Sequence, residues 1–386
     1  MTQLGKYREE DRPKLLKSDS KPQVNSLSGR KVKLQILSVI ALVLFVIAVS
    51  SVPVLILEYA SRAIRLTDRY LACYSPYDTV RMSWDRLNDN EGKLYEAQLY
   101  TPEQLHLSLG ANDTEIYLTW STMEQASCKV HYQKALANRL FWNKETIVDS
   151  KHTAVIVNEL DENWIKATKK RSRKLHTYRS RMSVEANSKY MYRLSCYQND
   201  TTPFYSQTYR FWAYEFSNSK KSVRMALFGD LGLVNGQSIP RLIKDVDQSS
   251  YDLIVHNGDF AYDLNTHNGQ YGDEFMRKIE PIAARVPYQT SVGNHEIAEN
   301  FTHYDSRFTM INAGFINHGQ QNNFYYSFNA GPVHFVAFST EFYYFVDRVG
   351  IGALNSQYEW LKADLKLAAS DRAERPWIIV FGHRPM

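Results

Sequence analysis

Three patterns of apolar and polar positions follow one another along the chain. The first is unbroken. Leu34 to Leu57 reads LQILSVIALVLFVIAVSSVPVLIL, 24 residues without a charge. As a helix this run reaches about 36 Å, enough to cross a hydrocarbon core with some tilt. It has no polar face, which argues against a buried soluble helix. The second pattern, from about Gln98 to Tyr214, is short and alternating. Glu115–Trp120, Cys128–Tyr132, Thr153–Val157 and Tyr190–Cys196 are such runs, with polar turn residues between them. Runs this short and regular predict an antiparallel β-sandwich. The third pattern begins at Val223. Apolar runs at Val223–Phe228, Tyr251–His256, Pro287–Val292, Val333–Ser339 and Trp377–Phe381 read as strands. Ile239–Asp247, Phe275–Arg285 and Asn355–Ser370 read as amphipathic helices between them, and in the last Tyr358, Leu361 and Leu365 share a face. Strands alternating with helices predict an α/β region.

The chain therefore divides into a basic tail (1–33), a transmembrane helix (34–57), a charged linker or stalk without a clean period (58–97), a sandwich (98–217) and an α/β domain (218–386). Apolar residues make up 44% and charged residues 23% of the chain, which excludes disorder as its main state. The net charge of +5 is local. Residues 1–33 hold nine Lys/Arg against four acids, so the rest sums to zero. The body of the protein thus has no electrostatic case for nucleic-acid binding. The basic flank before the span places the N-terminus in the cytoplasm and the bulk in the lumen or outside. Ala48-Val49-Ser50 resembles a cleavage site, and cleavage there would make the protein secreted. Three glycosylation sequons start at Asn112, Asn199 and Asn300, all on the outer side. Lys166 to Arg181 holds eight Lys/Arg and no acid, and reads as the solvated face of a hairpin, the alternative being a basic patch for phosphates or polyanions. Cys128 and Cys196 lie in different predicted strands and could pair, leaving Cys73 over; sequence gives no geometry for it.

Four motifs end four of the α/β strands: Gly229-Asp230-Leu231-Gly232, Gly258-Asp259-Phe260-Ala261-Tyr262, Gly293-Asn294-His295-Glu296 and Gly382-His383-Arg384-Pro385. Ligand sites of open α/β sheets lie at the carboxyl ends of strands. A glycine there lets the chain turn sharply, so the next side chain points over the sheet edge. Asp, Asp, Tyr, Asn and His together form a hard-metal donor set. Carboxylate and phenolate oxygens suit ferric iron, and carboxylate, amide and imidazole suit zinc, ferrous iron or manganese. A bridging carboxylate can hold two metals about 3.5–4 Å apart, the spacing that clamps a phosphoryl group.

On these motifs the chain resembles the purple acid phosphatases, most of all their large plant-like form in animals. Thr101–His106, Phe275–Pro281, Phe338–Glu341 and Pro376–Met386 add to the likeness. Gly232 stands where related protein phosphatases have a histidine, and those enzymes have no tyrosine matching Tyr262. The resemblance implies a fibronectin-III-like sandwich followed by a calcineurin-like metallophosphoesterase domain of α/β/β/α layers. It implies that Asp230 and Tyr262 bind Fe(III), Asp259 bridges, and Asn294 and His383 bind a divalent metal (Zn, Fe or Mn). His295 matches a histidine that contacts substrate phosphate and helps the leaving group. The implied reaction is hydrolysis of small phosphate monoesters at acid pH by a metal-activated hydroxide. The family has two further histidine ligands in a Gly-His-x-His motif beyond the match to His383, and residues up to Met386 do not include it. By the resemblance the α/β domain is C-terminally incomplete, and the chain as written should hold two metals poorly. The alternative is a catalytically inert membrane glycoprotein whose sandwich is a binding module. Oligomeric state, physiological substrate and the identity of the divalent metal are not legible.

Overall fold

The computed structural model describes residues 99–385, apart from 136–141, 143–144, 160, 170, 200–201 and 311–322. The basic tail, the apolar run 34–57, Cys73 and the expected stalk lie outside the described residues. No helix among the described residues is long and apolar enough to cross a membrane.

The alternating segment forms nine strands in two antiparallel sheets. These are β1 (Glu103–Leu109), β2 (Glu115–Thr122), β3 (Ser127–Lys134), β4 (Thr146–Asp149), β5 (Lys151–Asn158), β6 (Ser172–Ser183), β7 (Ser188–Tyr197), β8 (Phe204–Tyr205) and β9 (Tyr209–Ala213), with a short helix α1 (Glu162–Thr168) between β5 and β6. One sheet runs β1-β2-β6-β5; the other runs β4-β3-β7-β8, with β9 also on β7. Leu118, Trp120, Tyr178, Val130, Tyr192 and Leu194 are fully buried in the core between them. Trp120 and Tyr178 stack at 5.7 Å, and the Tyr178 hydroxyl accepts from the backbone N–H of Ala126. Cys128 and Cys196 face each other across β3 and β7 and form a disulfide.

The second half carries β10 (Met225–Phe228), α2 (Ile239–Asp247), β11 (Leu253–Asn257), α3 (Thr266–Ala283) and β12 (Tyr288–Ser291). The three strands are parallel, in the order β10-β11-β12. After α4 (Thr302–Arg307) come β13 (Tyr326–Ala330), β14 (Val333–Ala337), the short helices α5 (Glu341–Tyr344) and α6 (Val346–Val349), α7 (Ile351–Ser370) and β15 (Trp377–Phe381). β13 and β14 pair antiparallel, and β15 joins β14 in parallel, so this sheet is mixed. α2 forms because Ile239, Leu242 and Val246 recur on one face above the sheet, with Pro240 at its first turn.

Two expectations need correction. α7 buries Gln357, Asp364 and Ala368, whereas Tyr358 is exposed. Its buried polar groups are matched: Gln357 exchanges two hydrogen bonds with Ser339, and Asp364 accepts from Ser327 and His334. A buried amide or carboxylate is tolerated when it is bonded, and apolar spacing cannot reveal it. The basic run is also not one solvated face. Arg173 and Arg179 turn inward from β6: Arg173 pairs with Asp273 of α3, and Arg179 donates to Thr309 and to the carbonyls of Asp305 and Ser306.

These arginines belong to a polar seam between the halves. Tyr209 Oη and the N–H of Gln104 both donate to Glu280 at 2.6 Å. Tyr192 Oη donates to the Ala284 carbonyl, and the N–H of Leu109 donates to Gln289.

Candidate metal centre

Each expected donor leaves the carboxyl end of a strand. Asp230 follows β10, Asp259 follows β11, Asn294 follows β12 and His383 follows β15. Donor atoms of Asp230, Asp259 and His383 lie within 4.8 Å of one another. Tyr262 Oη donates to Asp230 Oδ1 at 2.8 Å. His383 Nε2 lies 3.2 Å from Asn294 Oδ1 and 3.3 Å from Asp259 Oδ1. All five expected donors thus meet in one place, and His295 sits beside them with its Nε2 3.9 Å from Asp259 Oδ2.

The backbone is bent to achieve this. Asp230, Asp259 and Tyr262 have φ of 56°, 51° and 50°, the left-handed region that side chains other than glycine seldom occupy. Two glycines make room. A Cβ on Gly258, whose φ is +76°, would lie 2.6 Å from His383 Nδ1. A Cβ on Gly293 would lie 2.3 Å from Asp259 Oδ1. Either methyl would occupy the donors' own space.

Glu296 locks the loops together. Buried beneath them, it accepts from the N–H groups of Asp259, Phe260 and Gly293, each at 3.0 Å. Burial nonetheless pushes its carboxyl up to about 7. Asn257 fixes the histidine ligand. Its carbonyl accepts from His383 Nδ1 at 2.9 Å, so in the neutral ring Nε2 is the unprotonated nitrogen facing the donors. Its side-chain amide donates to the Gly382 carbonyl at 2.8 Å.

The local electrostatics are those of converging anions. Its hydrogen bond to Asp259, the largest influence, raises His383 to about 9 against the cost of burial. Burial works to raise Asp259, but His383 and the N–H of His295 outweigh it and the carboxyl is lowered. Burial and then Asp230 raise Tyr262 to about 12.

Two contributors escaped the sequence reading. Asp263 holds His295 Nδ1 at 2.7 Å and leaves Nε2 on the donor side. Its only signal was its place directly after Tyr262. Asn257 ends β11 and carried no motif of its own.

Residues 223–386 match the calcineurin-like phosphoesterase family. Acid phosphatase type 7 of Mus musculus is 35% identical over 287 residues, covering 74% of this chain and 59% of that protein. Its counterpart from Danio rerio is 38% identical over 288 residues, with the same coverage. A purple acid phosphatase from yellow lupin seeds shares the fold, with a TM-score of 0.57 and 23% identity over 74% of this chain and 51% of that one. The fold is that of the metallophosphoesterases. Within them, this chain is similar in sequence to acid phosphatase type 7 and in fold to a purple acid phosphatase. It spans 59% of the length of the acid phosphatase type 7 proteins it matches.

Proposed function

We propose that this protein is an acid phosphatase that hydrolyses small phosphate monoesters at a binuclear centre of Fe(III) and one divalent metal (Zn, Fe or Mn). The observation that carries the reading is the convergence of Asp230, Asp259 and His383, from three strand ends, within 4.8 Å. The donor set fits such a pair of ions: two carboxylates and a phenol for the harder one, an amide and an imidazole for the softer, and glycines where a Cβ would fill the cradle. Asp230 and Tyr262 would hold the ferric ion, Asp259 both ions, and Asn294 and His383 the divalent ion. When bound, the ions supply Lewis acidity toward water and the phosphoryl oxygens.

The chain's own residues do the rest. Asp263 fixes the His295 ring through Nδ1, and the Tyr262 ring meets it edge-on at 4.6 Å. Held on two sides, His295 can present a proton at Nε2 to the departing alcohol oxygen. Glu296 keeps the two ligand loops in register while this happens.

The test compares this chain with a version extended by a family-like segment containing Gly-His-x-His. In the extended protein we expect iron and a divalent metal at about one each and phosphate release from p-nitrophenyl phosphate at acid pH. Tyr262→Phe should abolish the visible absorption of the iron-loaded protein. Metal-free protein in both versions would end the proposal.

We further propose that residues 34–57 anchor the protein with its N-terminus cytoplasmic, supported by the charge asymmetry of its flanks. Asn112, Asn199 and Asn300 are all exposed, as glycan acceptors must be. Protease applied to intact microsomes should remove an N-terminal tag and spare the rest.

A further inference from the structure

The seam between the sandwich and the α/β half encloses a small cavity that the phosphatase reading does not use. Arg173 and Lys174 of β6, Ser121 of β2, Thr177 of β6, and Asp273 and Arg307 of α3 and α4 are among its lining residues. Its open volume, about 10 Å³ for the centre of a water-sized sphere, admits one small solute.

The charge on this wall does not balance. Arg173 and Arg307 bring two positive charges into the seam, Lys174 adds a third at its exposed edge, and Asp273 is the one carboxylate among the lining residues. That carboxylate is already shared: Arg173 Nη2 reaches its Oδ2 at 2.6 Å and Arg307 Nη1 its Oδ1 at 2.8 Å. The remaining contacts of the arginine termini are to neutral oxygens, the Gly269 carbonyl for both and Gln104 Oε1 for Arg307. Arg307 is 3% exposed, and the Nε atoms of Arg173 and Arg307 are both buried without a partner among the described residues. His176, which also lines the cavity, adds no negative charge. Nearby Arg277 is neutralised by Glu103. The buried Glu159 accepts from the N–H groups of Asn268 and Asp161 and is not among the lining residues.

An uncompensated buried guanidinium is costly, and water can satisfy its N–H but not its charge. We propose that this cavity binds a single monovalent, halide-sized anion of the chloride class. The ion ties Arg173 of the sandwich to Arg307 of the α/β half and is distinct from the metal centre. The hydroxyls of Ser121 and Thr177 can turn toward it.

The full chain crystallised in bromide should show an anomalous peak between Arg173 and Arg307. Raising chloride from zero to 0.5 M should raise the Tm of the wild type by about 3 °C more than that of Arg173→Gln, the shift expected for an ion bound at about a tenth of that concentration. Lys174→Gln changes an exposed side chain and should lose part of the same increment. Comparing increments rather than absolute Tm values removes the cost of the broken Arg173–Asp273 pair. A water in place of bromide, or equal chloride increments in wild type and both variants, would overturn the proposal. Phosphatase activity enters none of these measurements, so the two proposals fail separately.

Discussion

The two halves of the molecule place left-handed backbone at different kinds of position. In the sandwich it falls mostly at turns and ends, at Asn187 between β6 and β7, Asn199 after β7 and Lys169 at the C-cap of α1, with Gln104 at the irregular start of β1 as the exception. Such residues let a strand or helix stop. In the α/β half it also falls in turns, as at Ser249, Glu299 and Asn300, but Asp230, Asp259 and Tyr262 adopt the same conformation at the strand ends where donor atoms meet. Each such residue costs of order 1 kcal/mol or more, and a glycine would avoid it. At Lys169 the side chain is exposed and pairs with no acid among the described residues. At the strand ends it is the reason for the bend.

The largest expected effect follows from that contrast. Asp259 touches His383 and the N–H of His295 and stands between both groups of donors. Asp259→Asn keeps its shape but loses its charge. Metal content, measured by elemental analysis of the extended protein, should fall from about two ions per chain to fewer than one. Phosphate release should fall at least a thousandfold, while far-UV circular dichroism stays unchanged. Retention of both metals would show that the bent strand ends serve packing instead.

The sequence disclosed the α/β half unevenly, for physical reasons. Gly258-Asp259 and Gly293-Asn294 were legible because a glycine before a donor at a strand end is a local necessity, and locality is what a sequence displays. Asp263 and Asn257 act through one contact each, to His295 and His383, made across 32 and 126 positions of chain. No periodicity records such a contact. The buried face of α7 was only partly legible, because Gln357 and Asp364 are buried through hydrogen bonds that apolar spacing does not record. The basic run was misread for a related reason, since Arg173 and Arg179 find partners only when β6 meets α3 and the 305–309 segment. In the sandwich, alternation gave the strands, and the pairing of Cys128 with Cys196 needed the register of β3 against β7.

The next effect belongs to the sandwich. The Cys128–Cys196 bridge closes a loop of 68 residues. Loop-closure entropy for that length gives about 4 kcal/mol. Replacing both cysteines with serine should lower the Tm of the sandwich transition by roughly 15 °C. The metal content of the extended protein should be unaffected below that temperature. Loss of metal in the double variant would mean that the halves do not respond separately.

Glu280 tests the seam between the halves. Burial raises its carboxyl to about 7 from an ordinary 4.5, although Tyr209 and the N–H groups of Gln104 and Leu105 all favour the ionised form. A raised pKa means the fold prefers the protonated acid. Its contribution is complete below about pH 4.5 and is lost as pH rises through 7, a change of roughly 3 kcal/mol. The buried His106, His256 and His303, lowered to about 4, 3 and 3 by burial, act oppositely as pH falls below 6.5. The readable quantity is therefore the difference between wild type and Glu280→Gln in denaturant melts at pH 5 and pH 8. Glu280→Gln should lose less stability than the wild type over that rise. Identical pH dependence in both proteins would remove Glu280 from the account.

The smallest effect returns to the left-handed positions. Lys169 caps α1 with φ 60° and ψ 15°, and its N–H donates to the Ile165 carbonyl. Its side chain is exposed, and no ion pair to it is found among the described residues. Glycine adopts this conformation without a Cβ penalty and is the residue most often found after a helix end. Lys169→Gly should therefore stabilise by about 0.5 kcal/mol, reduced by the freedom glycine adds to the unfolded chain. The Tm should rise by one or two degrees at most. The matching change at the strand ends, Asp230→Gly, relieves the same backbone strain but also removes a donor that holds Tyr262. It should abolish metal binding whether or not Tm rises. If Lys169→Gly and Asp230→Gly both left metal content intact, the bend at Asp230 would be a turn like any other, and the contrast between the two halves would disappear.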